Sequence, residues 1–113
     1  MPIKKVDLHL SEKLKDPYFN ELYELEQQKL DIVKRIIGYR IQHKLTQEQL
    51  AKKAGVTQQH ISKIENGEFS SILTLEKILL LIGLTVKIKV VPLDVKIKKN
   101  ILKVFSKDKL QIA

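Results

Sequence analysis

Gln58, Gln59, Ser62 and Lys63 are the residues of this chain whose types and spacing most directly suggest a chemistry. They fall on the outward edge of a short segment whose inward positions are Ile61 and Ile64, so a helix there would present all four together. A glutamine amide has a donor end and an acceptor end, which match the major-groove edge of adenine, and a lysine can donate to guanine. The chemistry on offer is hydrogen bonding to base edges. A capped helix with a solvated polar face accounts for the same four residues, and the turn that precedes them leaves the two readings even. The polar edge and the basic charge of the chain tilt the reading toward DNA. His60 reads as a surface histidine beside this edge.

Other chemistries find little support. The chain has no cysteine, which excludes disulfides, thiolate metal sites and thiol catalysis. His9, His43 and His60 lack metal-ligand spacing, and no Ser-His-Asp or paired-carboxylate arrangement stands out. Four glycines make no phosphate loop. No catalytic residue, cofactor or metal site is therefore expected, and the chain does not read as an enzyme. Its 113 residues suit one small domain with extensions, and a net charge of +8 points to polyanions, nucleic acid first. No apolar run approaches a membrane span and no signal-peptide core is evident, so a cytoplasmic location is expected.

The elements that must position the four residues lie on either side of them. Thr46 is placed to cap a helix over Gln47 to Lys53, with Leu50, Ala51 and Ala54 as its apolar stripe. Gly55 supplies a left-handed residue for the turn. Thr57 caps the second helix, Gln58 to Glu65, and Asn66-Gly67 stops it. Ala51 sits where the two helices would cross, and its small side chain lets their backbones approach. This is the pattern of a helix-turn-helix whose second helix enters the major groove.

With these residues in view, positions 35–83 resemble the Xre family of helix-turn-helix regulators, which includes the lambdoid phage repressors and Cro. The resemblance rests on Leu-Thr-Gln-Glu-Gln-Leu-Ala at 45–51, Gly55, Thr57-Gln58-Gln59 and Ile64-Glu65-Asn66-Gly67. It implies a lambda-repressor-like bundle of four or five helices. It further implies that Thr57, Gln58, Gln59 and Lys63 face bases, that Gln47 and Asn66 touch phosphates, and that Arg40 pairs with Glu65 to lock the first helix to the recognition helix.

The fold expected for the whole chain is mainly α: this helix-turn-helix bundle with an N-terminal helical extension and a C-terminal β-strand. Residues 1–28 would form an arm and a partner-binding helix, 29–83 the regulator domain, and 84–113 a strand and basic tail. Val6, Leu8 and Leu10 alternate with polar residues, which allows an edge strand or an arm within 1–15. Asp16-Pro17 starts a helix carrying Tyr18, Phe19, Leu22 and Tyr23, a cluster suited either to the chain's own core or to a protein partner. The helix either continues or breaks near Gln27-Gln28 before Val33, Ile36, Ile37, Arg40 and Ile41. After a cap at Ser70 or Ser71, the segment to about Ile82 is apolar nearly all round and predicts more buried surface than a small domain supplies. A homodimer interface of Leu79, Ile82, Val86, Ile88 and Val90 would take the surplus, the last three lying on one face of a strand from Thr85 to Val91. From Lys96 on, lysines mix with Ile101, Leu102, Val104 and Phe105, as in a short amphipathic element or a basic tail.

The charge is uneven. Residues 1–30 hold five lysines against six acidic residues, whereas 84–113 hold eight lysines against two aspartates. The Lys-Asp-Pro-Tyr-Phe helix start resembles HigA-type antitoxins of toxin–antitoxin pairs, and Thr74 to Ile88 resembles the ending of HipB-type antitoxins. The first resemblance implies an mRNA-cleaving toxin as partner and the second a kinase. The expected function is a sequence-specific, homodimeric repressor that binds a double-stranded operator, with a toxin as its protein partner. A stand-alone repressor is the alternative, and an interaction module that no longer binds DNA is a more distant one.

Overall fold

The structure, a computed structural model, describes residues 10–112, with side chains over residues 10–106. The alternation at Val6 and Leu8 lies outside the described residues, while residues 10–13 make one turn of helix. Five longer helices follow: α1 (Pro17–Gln42), α2 (Gln47–Ala54), α3 (Gln58–Glu65), α4 (Ile72–Leu81) and α5 (Val95–Ile112). They belong to two compact units. One holds residues 27–89, and the other joins the N-terminal stretch through Glu26 to the C-terminal stretch from Val90.

Helix α1 starts where the sequence marks it. The Asp16 carboxylate accepts the Tyr18 backbone N–H at 3.0 Å, and Pro17 occupies a position whose N–H has no helical acceptor. The helix then runs without a break through Gln27-Gln28, since neither glutamine opposes it. Gly38 lies in its interior, is exposed, and would bring an added Cβ within 4 Å of nothing. Close packing is not the reason for this glycine.

In the unit of residues 27–89 the core is Ile36, Leu50, Ala51, Ile61, Ile64, Leu75, Ile78 and Leu79. Helix α2 packs against both α3 and α4. Leu50 and Ala51 on α2 and Ile61 and Ile64 on α3 are buried as their helical spacing predicts, and Ala51 retains only 3% of its exposure. Tyr39, Leu45, Val56 and Phe69 pack around the rim. The turns are closed by backbone hydrogen bonds of one repeated kind. At the end of α2, Gly55 adopts φ +71°, its N–H reaches the Lys52 carbonyl at 3.3 Å, and the Val56 N–H reaches the Ala51 carbonyl at 3.0 Å. The same paired closure ends α1 at Lys44, where the sequence carries no glycine. Lys44 has φ +55°, and the Leu45 N–H reaches the Arg40 carbonyl at 2.9 Å. A lysine in this left-handed conformation is strained relative to glycine. The gain is an early, firm stop that delivers Thr46 to its capping position.

The expectation of a C-terminal β-strand is corrected by the structure: the described residues are helical with no strand or sheet. Two local interactions explain it. Glu76 on α4 accepts the Val86 backbone N–H at 3.2 Å and the Thr85 hydroxyl at 2.8 Å, so a side chain takes the place of a ladder partner at the start of the segment. Val95 to Ile97, which could have supplied a second strand, begins α5 instead. Asp94 starts that helix, its carboxylate accepting the Lys96 N–H at 2.8 Å and its carbonyl the Lys98 N–H at 2.9 Å. Val86 therefore packs on the core of its own unit, while Ile88 and Val90, expected to share its buried face, are exposed. Alternation of apolar and polar residues is compatible with a strand but does not create one without a partner.

Gly38→Ala is expected to raise stability by about 0.5–1 kcal/mol, because it removes the entropic cost of glycine from an exposed helix interior without a new contact. Urea denaturation followed by circular dichroism checks this. An unchanged or lower midpoint would show that the backbone at Gly38 is not that of an ordinary helix.

Candidate nucleic-acid interface

The candidate interface is built on α3, and its orientation depends on what holds the two ends of that eight-residue helix. At the N-terminal end Thr57 is extended, and its hydroxyl accepts the His60 backbone N–H at 3.2 Å. The same hydroxyl lies 3.1 Å from the His60 ring Nδ1, so His60, half-buried, is tied to the cap. At the C-terminal end Gly67 turns the chain, and the Glu68 N–H reaches the Lys63 carbonyl at 2.8 Å.

Helix α2 is fixed just as locally. Thr46 and Gln49 form a reciprocal cap: the Gln49 N–H donates to the Thr46 hydroxyl at 3.1 Å, and the Thr46 N–H donates to the Gln49 side-chain oxygen at 2.9 Å. The Thr46-x-x-Gln49 spacing carries the signal for this box, although Thr46 alone draws attention when the chain is read as a sequence.

The strongest polar contact in this unit ties α1 to α3. Arg40 donates through Nε to Glu65 Oε2 at 2.7 Å and through Nη2 to Oε1 at 3.0 Å, a two-pronged pairing. Its remaining prong, Nη1, donates to the Leu45 carbonyl at 3.1 Å. The Glu65 side chain keeps 7% of its exposure and that of Arg40 20%. Hydrogen bonding to Glu65 is the main cause that raises the Arg40 guanidinium above its ordinary range, and burial opposes it. Gln47 adds a third donor, its Nε2 reaching Glu65 Oε1 at 3.2 Å. The pairing of Gln47 with Glu65 has no signal in the sequence, since the two are brought together only when α2 crosses α3.

This framework leaves Gln58, Gln59 and Lys63 exposed, with Ser62 half-buried between them. Thr57 and Asn66 are exposed at the two ends of α3, whereas Gln47, at the first position of α2, is half-buried and turned to Glu65. The residues expected to meet DNA therefore belong to one unit and to two successive helices. Lys52 and Lys53, in the last turn of α2, are exposed cations of the same unit. A shallow groove of about 180 Å³ elsewhere in this unit is lined by Ile32, Leu79, Leu84 and Val86, and its charged groups, Asp31 and Arg35, bridge each other at 3.0 Å.

The other candidate residues are placed differently. Leu79 is buried in the core, Ile82 and Val86 pack partly against it, and Ile88 and Val90 are exposed, so the five do not form one surface patch. Tyr18, Phe19 and Tyr23 lie in the other unit and are half-buried there. The Tyr18 ring meets Phe105 edge-on at 5.1 Å, Phe19 stacks on Tyr23 at 6.1 Å, and the Lys13 ammonium sits 5.6 Å from the Phe19 ring centre. Leu22 is 48% exposed beside them.

Glu65→Ala is expected to cost about 3 kcal/mol, since it leaves the Arg40 guanidinium part-buried without its partner. The double change Arg40→Met, Glu65→Leu should recover most of that loss, because it removes both charges at similar volume. Denaturant midpoints of the single and double variants check the pair. A double variant no more stable than Glu65→Ala would show that the pair contributes more than the cost of burying it.

Residues 36–87 match a family model described as helix-turn-helix, HTH_3, a span of a little under half the chain. No curated protein and no solved structure gives a significant match. No helix among the described residues is long and apolar enough to cross a membrane. Residues 36–87 thus match a helix-turn-helix family in sequence and form a capped helix pair in structure, and the likeness supports a sequence-specific DNA-binding regulator.

Proposed function

We propose that the protein is a transcriptional repressor that reads an operator through α3. The observation that carries this reading is the exposed edge of Gln58, Gln59 and Lys63 on a helix capped at both ends and held from behind by Arg40. Preorganisation matters here because a flexible glutamine on a mobile helix would spend its hydrogen-bond energy on ordering. The N-terminal residues of a recognition helix reach base edges most directly, which puts Gln58 and Gln59 in the reading positions. Binding as a homodimer would place two such helices in successive major grooves, about 34–36 Å apart. Ile72, Leu73 and Leu80, exposed on α4, supply apolar surface for such a pairing. Occupation of a promoter by the dimer would block transcription.

A narrower reading makes this repressor the antitoxin of a toxin–antitoxin pair. Its support is the resemblance of the helix start at Asp16-Pro17-Tyr18-Phe19 to HigA-type proteins, together with the exposed Leu22 and Leu25 beside the aromatic cluster. Exposed leucines next to half-buried rings make a surface that a partner can cover without refolding the chain.

Gln58→Ala and Gln59→Ala are each expected to cost about 1–3 kcal/mol of discrimination at one base position. Neither removes a charge, so binding to scrambled duplex and its salt dependence should stay nearly unchanged. Titration against a duplex selected by the wild-type chain from a random pool, and against its scrambled counterpart, checks this. If both variants keep the wild-type ratio, α3 does not read sequence.

Leu22→Arg is expected to abolish co-purification with the product of an adjacent toxin-like gene while leaving operator binding intact. Because Leu22 is exposed, the fold should tolerate the change. Retained co-purification would move the toxin interface away from this helix.

A further inference from the structure

We infer that α5 carries a second nucleic-acid contact, a lysine stripe that binds backbone phosphates without reading sequence. Lys96, Lys99 and Lys103 follow one another at helical spacing along one face of α5, and all three are exposed. Lys98, also exposed, adds to the positive charge of the same helix. None of these four lysines has an ion-pair partner among the described residues.

The arrangement works against the helix that bears it. Like charges three and four residues apart destabilise a helix, and Lys96, Lys98 and Lys99 stand near its N-terminal end, where the helix dipole disfavours cations. The first turn of α5 holds no acidic residue, and the single carboxylate at its start, Asp94, faces three lysines. A polyanion relieves both costs. It also gains from the release of its own counterions.

The opposite face of α5 favours nucleic acid over a membrane surface. An amphipathic helix lying in a bilayer needs its apolar face free. In α5 the middle of that face is covered: Ile101 is buried, Ile97 and Val104 are half-buried, and Phe105 meets Tyr18 edge-on, while Val95, Leu102 and part of Phe105 stay exposed at its margin. The lysine stripe itself carries no apolar side chain, and an ammonium, a compact point charge, suits phosphate oxygens. The choice of duplex DNA as the polyanion rests on the reading of α3, whereas the charge argument stands without it.

The test uses the full chain carrying Lys96→Gln, Lys99→Gln and Lys103→Gln together, titrated with a random-sequence duplex and with the selected operator duplex at several salt concentrations. Affinity should fall about tenfold or more for both duplexes, their ratio should hold, and the slope of log affinity against log salt should become shallower by about two to three. The corresponding triple change to arginine keeps the charge and should restore both. An unchanged slope overturns the proposal, as does a loss that arginine does not restore, or a loss of binding to phosphatidylserine vesicles with none to duplex. The α3 reading fails separately: if Gln58→Ala and Gln59→Ala leave the operator ratio intact, the slope on random-sequence duplex still decides the role of α5.

Discussion

Three donors converge on the carboxylate of Glu65: two from Arg40 and one from Gln47. Glu65 ends α3, Arg40 lies near the end of α1, and Gln47 begins α2, so this one nearly sealed carboxylate ties three helices of the unit at a single point. A part-buried charge pair adds little net stability compared with apolar side chains of the same volume. What it adds is direction. The forked guanidinium accepts a carboxylate in few orientations, and apolar contacts between Ile61, Ile64 and the rest of the core would allow α3 to rotate or slide before losing much burial. An interface that reads base edges needs that freedom removed. The same Arg40 also accepts no ambiguity in the turn behind it, because its third prong fixes the Leu45 carbonyl next to the cap of α2.

The exposed polar edge and the fixing point therefore lie on opposite sides of one short helix. Gln58, Gln59 and Lys63 face out, while Ile61, Ile64 and Glu65 face in. The caps at Thr57 and Gly67 satisfy the free backbone groups that an eight-residue helix would otherwise leave to water. On the proposed reading, recognition of sequence and attraction of charge are separable tasks. Uncharged amides on α3 suit discrimination, and the excess of lysines after residue 84 suits attraction.

The aromatic cluster of the other unit shows how one sequence signal can have two outcomes. Tyr18, Phe19 and Tyr23 pack against rings and a cation of their own unit, which accounts for much of their apolar surface. Leu22 and Leu25, on the same helix, remain exposed and leave room for a partner. Composition alone distinguishes neither the rings that are occupied nor the leucines that are not.

Taken alone, the sequence determined the local architecture around the site. The caps at Thr46 and Thr57, the stop at Gly55 and the inward positions Leu50, Ala51, Ile61 and Ile64 are all legible, because a helix closes its hydrogen bonds within a few residues and its faces follow from one period; of Ser70 and Ser71, both open to the sequence, the structure makes Ser71 the cap. Tertiary structure decided what depends on a distant partner. The alternation of Val86, Ile88 and Val90 matches a strand, but strand hydrogen bonds must come from elsewhere in the chain, and Glu76 and the helix started by Asp94 took the available positions. Whether Leu79 faced a core or a surface, and that Gln47 would turn to Glu65, were settled by the crossing of helices far apart in sequence. The left-handed Lys44 belongs to the same class, for its own side chain disfavours that conformation and the surrounding helix ends impose it.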